Sequence, residues 1–106
     1  MDKKILDKNT AFDIASRYYN YLKENNFAVE KAVLFGSYAR GDFDENSDID
    51  LALVFKKLEN KFTMQVQLLM LTHKFDTRIE PHPIEEEDFN NGNPLAYEML
   101  RSGVVL

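Results

Sequence analysis

Residues 36–50 read GSYARGDFDENSDID: two glycines, two serines, an arginine and five acids set between two apolar runs. The run before it, residues 29–35 (VEKAVLF), ends in unbroken apolar sequence and reads as a strand buried on both faces. The run after it, residues 49–55 (IDLALVF), reads as a second. Gly36 punctuates the first strand, and Ser37 to Arg40 is long enough for one helical turn. Residues 41–47 are loop by composition.

Both ends of this stretch carry chemistry. At Gly36-Ser37 a buried strand turns toward a helical start, where glycine permits close backbone approach and unpaired N–H groups face an anion. With the serine hydroxyl beside them, these residues outline a phosphate cradle; an ordinary helix cap would have the same composition. At the other end, Asp48 and Asp50 stand two apart, which in a strand points both carboxylates to one face. Two such carboxylates on an apolar strand repel and are desolvated unless a cation joins them. Mg²⁺ suits the demand, because it takes carboxylate oxygens and completes its shell with waters and phosphates. A solvated strand start is the competing reading of Asp-x-Asp taken alone.

Outward from this centre, apolar residues Phe12, Ile14, Ala15, Tyr18, Tyr19 and Leu22 recur at helical spacing, with Asn9-Thr10 as a cap and Asn25-Asn26 as a stop. Residues 62–75 (FTMQVQLLMLTHKF) are expected to form a helix with Phe62, Val66, Leu69 and His73 along one side and the Leu and Met stripe of 64–71 in the core. Residues 77–84 (TRIEPHPI) look extended, and their prolines place them at a sheet edge or end the strand early. The acids of residues 85–88 suit the first turn of a short helix. Asn93-Pro94 opens a last helix through Arg101, stopped by Gly103, with residues 104–106 as a tail. Helices alternating with strands imply an α/β fold on a small sheet.

Composition narrows the function. At 106 residues the chain is expected to hold one domain, residues 1–106. Its 44% hydrophobic content fits a folded globule. No cysteine is present, which removes disulfides, thiolate metal sites and a cysteine nucleophile. The net charge of −5 and the lack of clustered lysine and arginine disfavour duplex nucleic acid as a partner. The N-terminus lacks a leader's apolar core and no run reaches transmembrane length, so cytoplasmic residence is expected, with no membrane partner.

GSYARG followed by SDIDL resembles the nucleotidyltransferases of the DNA polymerase beta superfamily, and in particular their minimal branch, whose members often read GSxARG and then SDIDL. The likeness is strongest over residues 33–53, and the order of elements extends it to nearly the whole chain. It implies a small mixed β-sheet packed with helices. It also implies an enzyme that binds a nucleoside triphosphate through Gly36 and Ser37 and holds one or two Mg²⁺ ions on Asp48 and Asp50. The family usually adds a third carboxylate from a later strand, for which this chain offers Glu80 and Asp76. Glu80 lies inside the extended run and is the expected choice; Asp76 suits a turn or cap. Many relatives have aspartate there. Arg40 is a fixed positive group for the triphosphate or acceptor, with a pairing to Asp42 or Asp44 as its competing role. Tyr38 is read as packing or a lip of the site. His73 and His82 have no partner at ligand spacing, and His82 between prolines is read as a surface residue.

Members of the minimal branch commonly act beside a separately encoded helical protein of the HEPN type, as the antitoxin of a toxin–antitoxin pair. The resemblance therefore implies ATP as donor and a tyrosine of that partner as acceptor. A binding module that neutralises its partner by occlusion is the alternative, and transfer to a small molecule such as an aminoglycoside a third. A site this open is expected to be completed by a neighbouring subunit, a HEPN-type partner or a second copy.

Overall fold

The computed structural model describes residues 6–90 and 93–106; the N-terminal residues used for the leader reading lie partly outside them. Two short-range signals set the first helix, α1 (Lys8–Glu24). The Asp7 carboxylate accepts a hydrogen bond from the Thr10 N–H at 2.6 Å, and Asn25 closes the other end. The cap is thus Asp7, just ahead of the expected Asn9-Thr10. Asn26 follows with φ 68, a left-handed conformation that asparagine tolerates better than most residues. Strand β1 (Val29–Phe35), the single helical turn α2 (Ser37–Arg40) and strand β2 (Ile49–Phe55) fall on the residues expected of them.

Asn60 caps α3 (Lys61–Thr72), its side-chain oxygen accepting from the Thr63 N–H. The expected core stripe of α3 holds at Met64, Leu68 and Leu71 but not at Leu69 and Met70, and the line Phe62, Val66, Leu69 and His73 is the outward side. Leu68 and Thr72 are buried, with Met64 and Leu71 partly so. Phe62 is 77% exposed, and Val66, Leu69, Met70 and His73 also face outward. Apolar residues stand all round this helix, so periodicity alone does not select the face that packs.

Strand β3 (Ile79–Glu85) is followed by α4 (Glu86–Asn90), α5 (Pro94–Ser102) and a two-residue strand, β4 (Val104–Val105). The sheet order is β3-β2-β1-β4. Strands β1 and β2 are antiparallel, β2 and β3 parallel, and β4 is antiparallel to β1. This is a small mixed α/β sheet, as expected, but the tail read at 104–106 is its fourth strand. Pro81 and Pro83 are accommodated because β3 is an edge. The Arg78 carbonyl accepts from Ile49 of β2, whereas the Pro81 carbonyl accepts from the Gln65 side chain of α3. Alternate residues of β3 therefore turn their backbone groups away from the sheet, and the prolines sit where no ladder N–H is needed.

Each face of the sheet has its own core. One is the larger: Ala32, Leu34, Ile49, Leu51, Leu53, Phe55 and Ile79 pack with α1 and α3. Within it the Tyr18 hydroxyl donates to the Leu68 carbonyl at 2.8 Å, fixing α1 to α3. The other joins Val33, Phe35, Ala52, Val54 and Ile84 to Phe89 of α4 and to Ala96 and Met99 of α5. Asp50, Glu80 and His82 share this second face by strand alternation, at the end of it nearest α2. No helix among the described residues is long and apolar enough to cross a membrane.

Candidate active site

One row across the sheet builds the site. Phe35 is the register partner of Asp50, and Asp50 is the register partner of Glu80. Residues opposite one another in register share a face, so the two carboxylates stand side by side where β1 ends. Gly36 follows Phe35 at once, and its backbone lies against the Asp50 carboxylate; a Cβ there would collide with it. Its φ of 76 and ψ of −156 belong to a region that is essentially glycine's alone. Gly36 is thus required twice, for its dihedrals and for its missing side chain.

From Gly36 the chain turns into α2. The Ala39 and Arg40 N–H groups both bond the Gly36 carbonyl, and Gly41, at φ 96, ends the turn. Tyr38 is buried and stacks on Phe43, which ties this turn to the following loop. That loop has internal order: the Asp44 N–H donates to Ser47 Oγ and the Asn46 N–H donates to the Asp44 carboxylate. It delivers Asp48 to the start of β2.

Burial holds the Glu80 carboxyl above the ordinary value, and a hydrogen bond with Asp48 adds to the effect, as do the nearby charges of Asp50 and Asp48; His82 pulls the other way. Asp48 and Asp50 therefore both stand near Glu80, although Asp48 itself is exposed. Among the described residues, the ligand atoms of Asp50, Glu80 and His82 lie within 4.8 Å of one another. Such a set can hold a divalent cation, and the residues fit one: two carboxylates and an imidazole converge, and burial together with neighbouring acids disfavours an uncompensated Glu80 carboxylate.

His82 departs from expectation. Its Nε2 lies 3.3 Å from Asp50 Oδ1 and 3.9 Å from Glu80 Oε1, and its ring meets Phe35 edge-on at 5.1 Å. It is half-buried at the site rather than a bystander on the surface. The signal was available, since His82 is two residues after Glu80 and so shares its face in a strand. The flanking prolines concealed it.

Asp76 takes the turn role expected of it. Its carboxylate accepts from the Arg78 N–H at 2.9 Å and from the guanidinium at 2.9 and 2.7 Å, and these bonds hold its carboxyl below the ordinary value. Arg40 lies in the pairing role: Nη1 donates to Glu98 of α5 at 2.7 Å and Nε to Asp42 at 3.4 Å. Glu98 was not foreseen, because it is 58 residues away in sequence.

Comparison with known proteins agrees with this fold. The family described as Polymerase beta, Nucleotidyltransferase matches residues 18–106. Over 56 residues the chain is 36% identical to a candidate protein adenylyltransferase of Methanocaldococcus jannaschii, covering 50% of this chain and 57% of that protein. The chain spans about half the length of such curated relatives. A solved candidate minimal nucleotidyltransferase superposes with a TM-score of 0.61 at 20% identity, over 95% of this chain and 97% of that one. A toxin–antitoxin crystal structure with AMP-PNP gives 0.61 at 20% identity, over 94% of this chain and 72% of that one. At these identities the structural matches speak to the fold alone.

Proposed function

Because the chain belongs to the Polymerase beta nucleotidyltransferase family, we propose that it transfers AMP from ATP to a hydroxyl group on a protein, releasing pyrophosphate. One observation carries this reading: the Gly36 turn, which suits a phosphate, abuts the carboxylate of Asp50, with Glu80 beside it and Asp48 in reach.

Each residue has a part. Gly36 admits the triphosphate to the backbone, and Ser37 with the first N–H groups of α2 holds its terminal phosphates. Asp48, Asp50 and Glu80 would hold Mg²⁺, which when bound neutralises phosphate charge and polarises the α-phosphate. The acceptor oxygen forms its bond to the α-phosphorus as the bond to the bridging oxygen breaks. The electron pair leaves on pyrophosphate, and the hydroxyl proton passes to solvent. Catalysis here is positioning and electrostatics, for which a shallow site on rigid strands is sufficient. Arg40 would serve the triphosphate once parted from Glu98.

The acceptor proposed is a tyrosine of a separately encoded HEPN-type helical partner, with this chain as the antitoxin. Support comes from the protein adenylyltransferase likeness and from the toxin–antitoxin structure among its fold neighbours. A cytoplasmic setting goes with that role. The test is to incubate the chain with labelled ATP, Mg²⁺ and the product of the adjacent gene. Label should appear on the partner, and should disappear with Asp48→Asn/Asp50→Asn while the complex persists. The competing reading, occlusion without transfer, draws on the exposed Phe62 and Met70 of α3 as contact residues. Full neutralisation of the partner by the double variant would establish that reading instead.

A further inference from the structure

We propose that His82 is a nitrogen ligand in the metal site, and that it gives this site a preference for Mn²⁺ over Mg²⁺. The inference rests on the metal role assigned above to Asp50 and Glu80, and adds a residue and a selectivity to it.

Three observations converge. First, His82 Nε2 faces both carboxylates, at 3.3 Å from Asp50 Oδ1 and 3.9 Å from Glu80 Oε1. Adjacent ligands on an octahedral ion with bonds of about 2.1 Å lie about 3 Å apart, close to the spacing present. Second, the sheet register puts the imidazole there. His82 pairs with Ala52, one row beyond the Asp50–Glu80 pair, and alanine leaves the ring free to lean across toward Asp50. Third, the ring is held: it packs edge-on against Phe35 on the strand that leads into Gly36. A ligand on a rigid strand, braced by an aromatic neighbour, is preorganised in a way that a loop histidine is not.

Selectivity follows from ligand chemistry. Mg²⁺ prefers oxygen and keeps much of its water, so an imidazole adds little to its binding. Later divalent ions gain from nitrogen donors, and Mn²⁺ shares with Mg²⁺ a taste for carboxylate and phosphate oxygen. A site that adds an imidazole to its carboxylates therefore takes Mn²⁺ without ceasing to accept Mg²⁺.

The experiment reads binding, without nucleotide or partner. Mn²⁺ affinity is measured by electron paramagnetic resonance, Mg²⁺ affinity by competition, and directly bound nitrogen by electron spin echo envelope modulation. For the unaltered protein, nitrogen coupling to bound Mn²⁺ is expected. His82→Gln should abolish that coupling and weaken Mn²⁺ about tenfold, leaving Mg²⁺ within twofold and the protein cooperatively folded at the assay temperature. Absence of nitrogen coupling in the unaltered protein, or an unchanged Mn²⁺ to Mg²⁺ ratio in His82→Gln, would overturn the proposal. Asp50→Asn separates the two readings. If it loses both ions while His82→Gln loses neither, the carboxylate site stands and the histidine ligand falls. If Asp50→Asn binds Mn²⁺ as tightly as the unaltered protein, both fall.

Discussion

The backbone of Gly36 occupies the space against which the Asp50 carboxylate rests, so the glycine turn and the acidic strand share one wall. The two halves of the motif, fourteen residues apart in number, form one object because β1 and β2 are antiparallel with Phe35 opposite Asp50.

That contact makes Gly36→Ala a severe change. An added methyl group must displace Asp50, and alanine resists φ 76 with ψ −156. The expected cost is about 1–3 kcal/mol of stability and more than a tenfold loss of transfer. Chemical denaturation and a labelled-ATP assay measure the two. A variant with native stability and full activity would show that the contact is dispensable.

The two candidate third carboxylates are predicted to separate cleanly. Glu80→Gln removes a charge from the row beside Asp50 and should cut transfer strongly with little loss of folding. Asp76→Asn breaks bonds to Arg78 that are largely shielded from solvent, and should cost about 1–3 kcal/mol while leaving transfer per folded molecule intact. The reverse pattern would move the third carboxylate to Asp76.

The same two residues set opposite pH dependences. Glu80, raised in the fold mainly by burial, binds its proton more tightly folded than unfolded. Stability from this group is greatest below its ordinary value of 4.5 and declines as pH rises through the folded value. Asp76, lowered mainly by its Arg78 hydrogen bond, adds stability that is present above 3.8 and lost as pH falls through the folded value. Urea midpoints taken across pH with a chelator present should show the upper decline flattened in Glu80→Gln and the acid-side loss flattened in Asp76→Asn. A divalent ion at neutral pH should raise the midpoint of the unaltered protein. Identical pH profiles for all three proteins would refute the assignment.

Arg40 and Glu98 form an exposed pair at 2.7 Å, worth at most about 1 kcal/mol to the fold. Glu98→Gln should therefore leave stability nearly unchanged. By freeing the guanidinium it should lower the KM for ATP, whereas Arg40→Ala should raise it. Equal KM values in both variants would place Arg40 outside nucleotide binding.

Much of this was legible in the residues. Strands β1 and β2 fall where their apolar runs predict, since unbroken hydrophobic sequence bounded by Gly36 and by Ser47-Asp48 leaves little choice of limits. Gly36-Ser37 and Asp48-x-Asp50 were visible because a strand of period two and a glycine turn are short-range constraints. The place of Glu80 beside Asp50 is readable in the same way, from its position inside an extended run.

Other features depended on contacts that no local pattern encodes. Which face of α3 packs, with Leu68 and Thr72 inward and Phe62 outward, was decided by the sheet beneath it. The pairing of Val104 with Leu34 makes a strand of residues that read as a tail. Arg40 meets Glu98, and His82 meets Asp50, through elements far apart in sequence. The amino-acid sequence alone determined the elements other than β4, their order, and the glycine turn and paired acids at the two ends of residues 36–50, because dihedral preference and apolar periodicity act within a few residues. Only the tertiary structure decided which side chains stand around the site, because the cross-strand rows Phe35–Asp50–Glu80 and Ala52–His82 exist once the two cores have fixed the sheet's register.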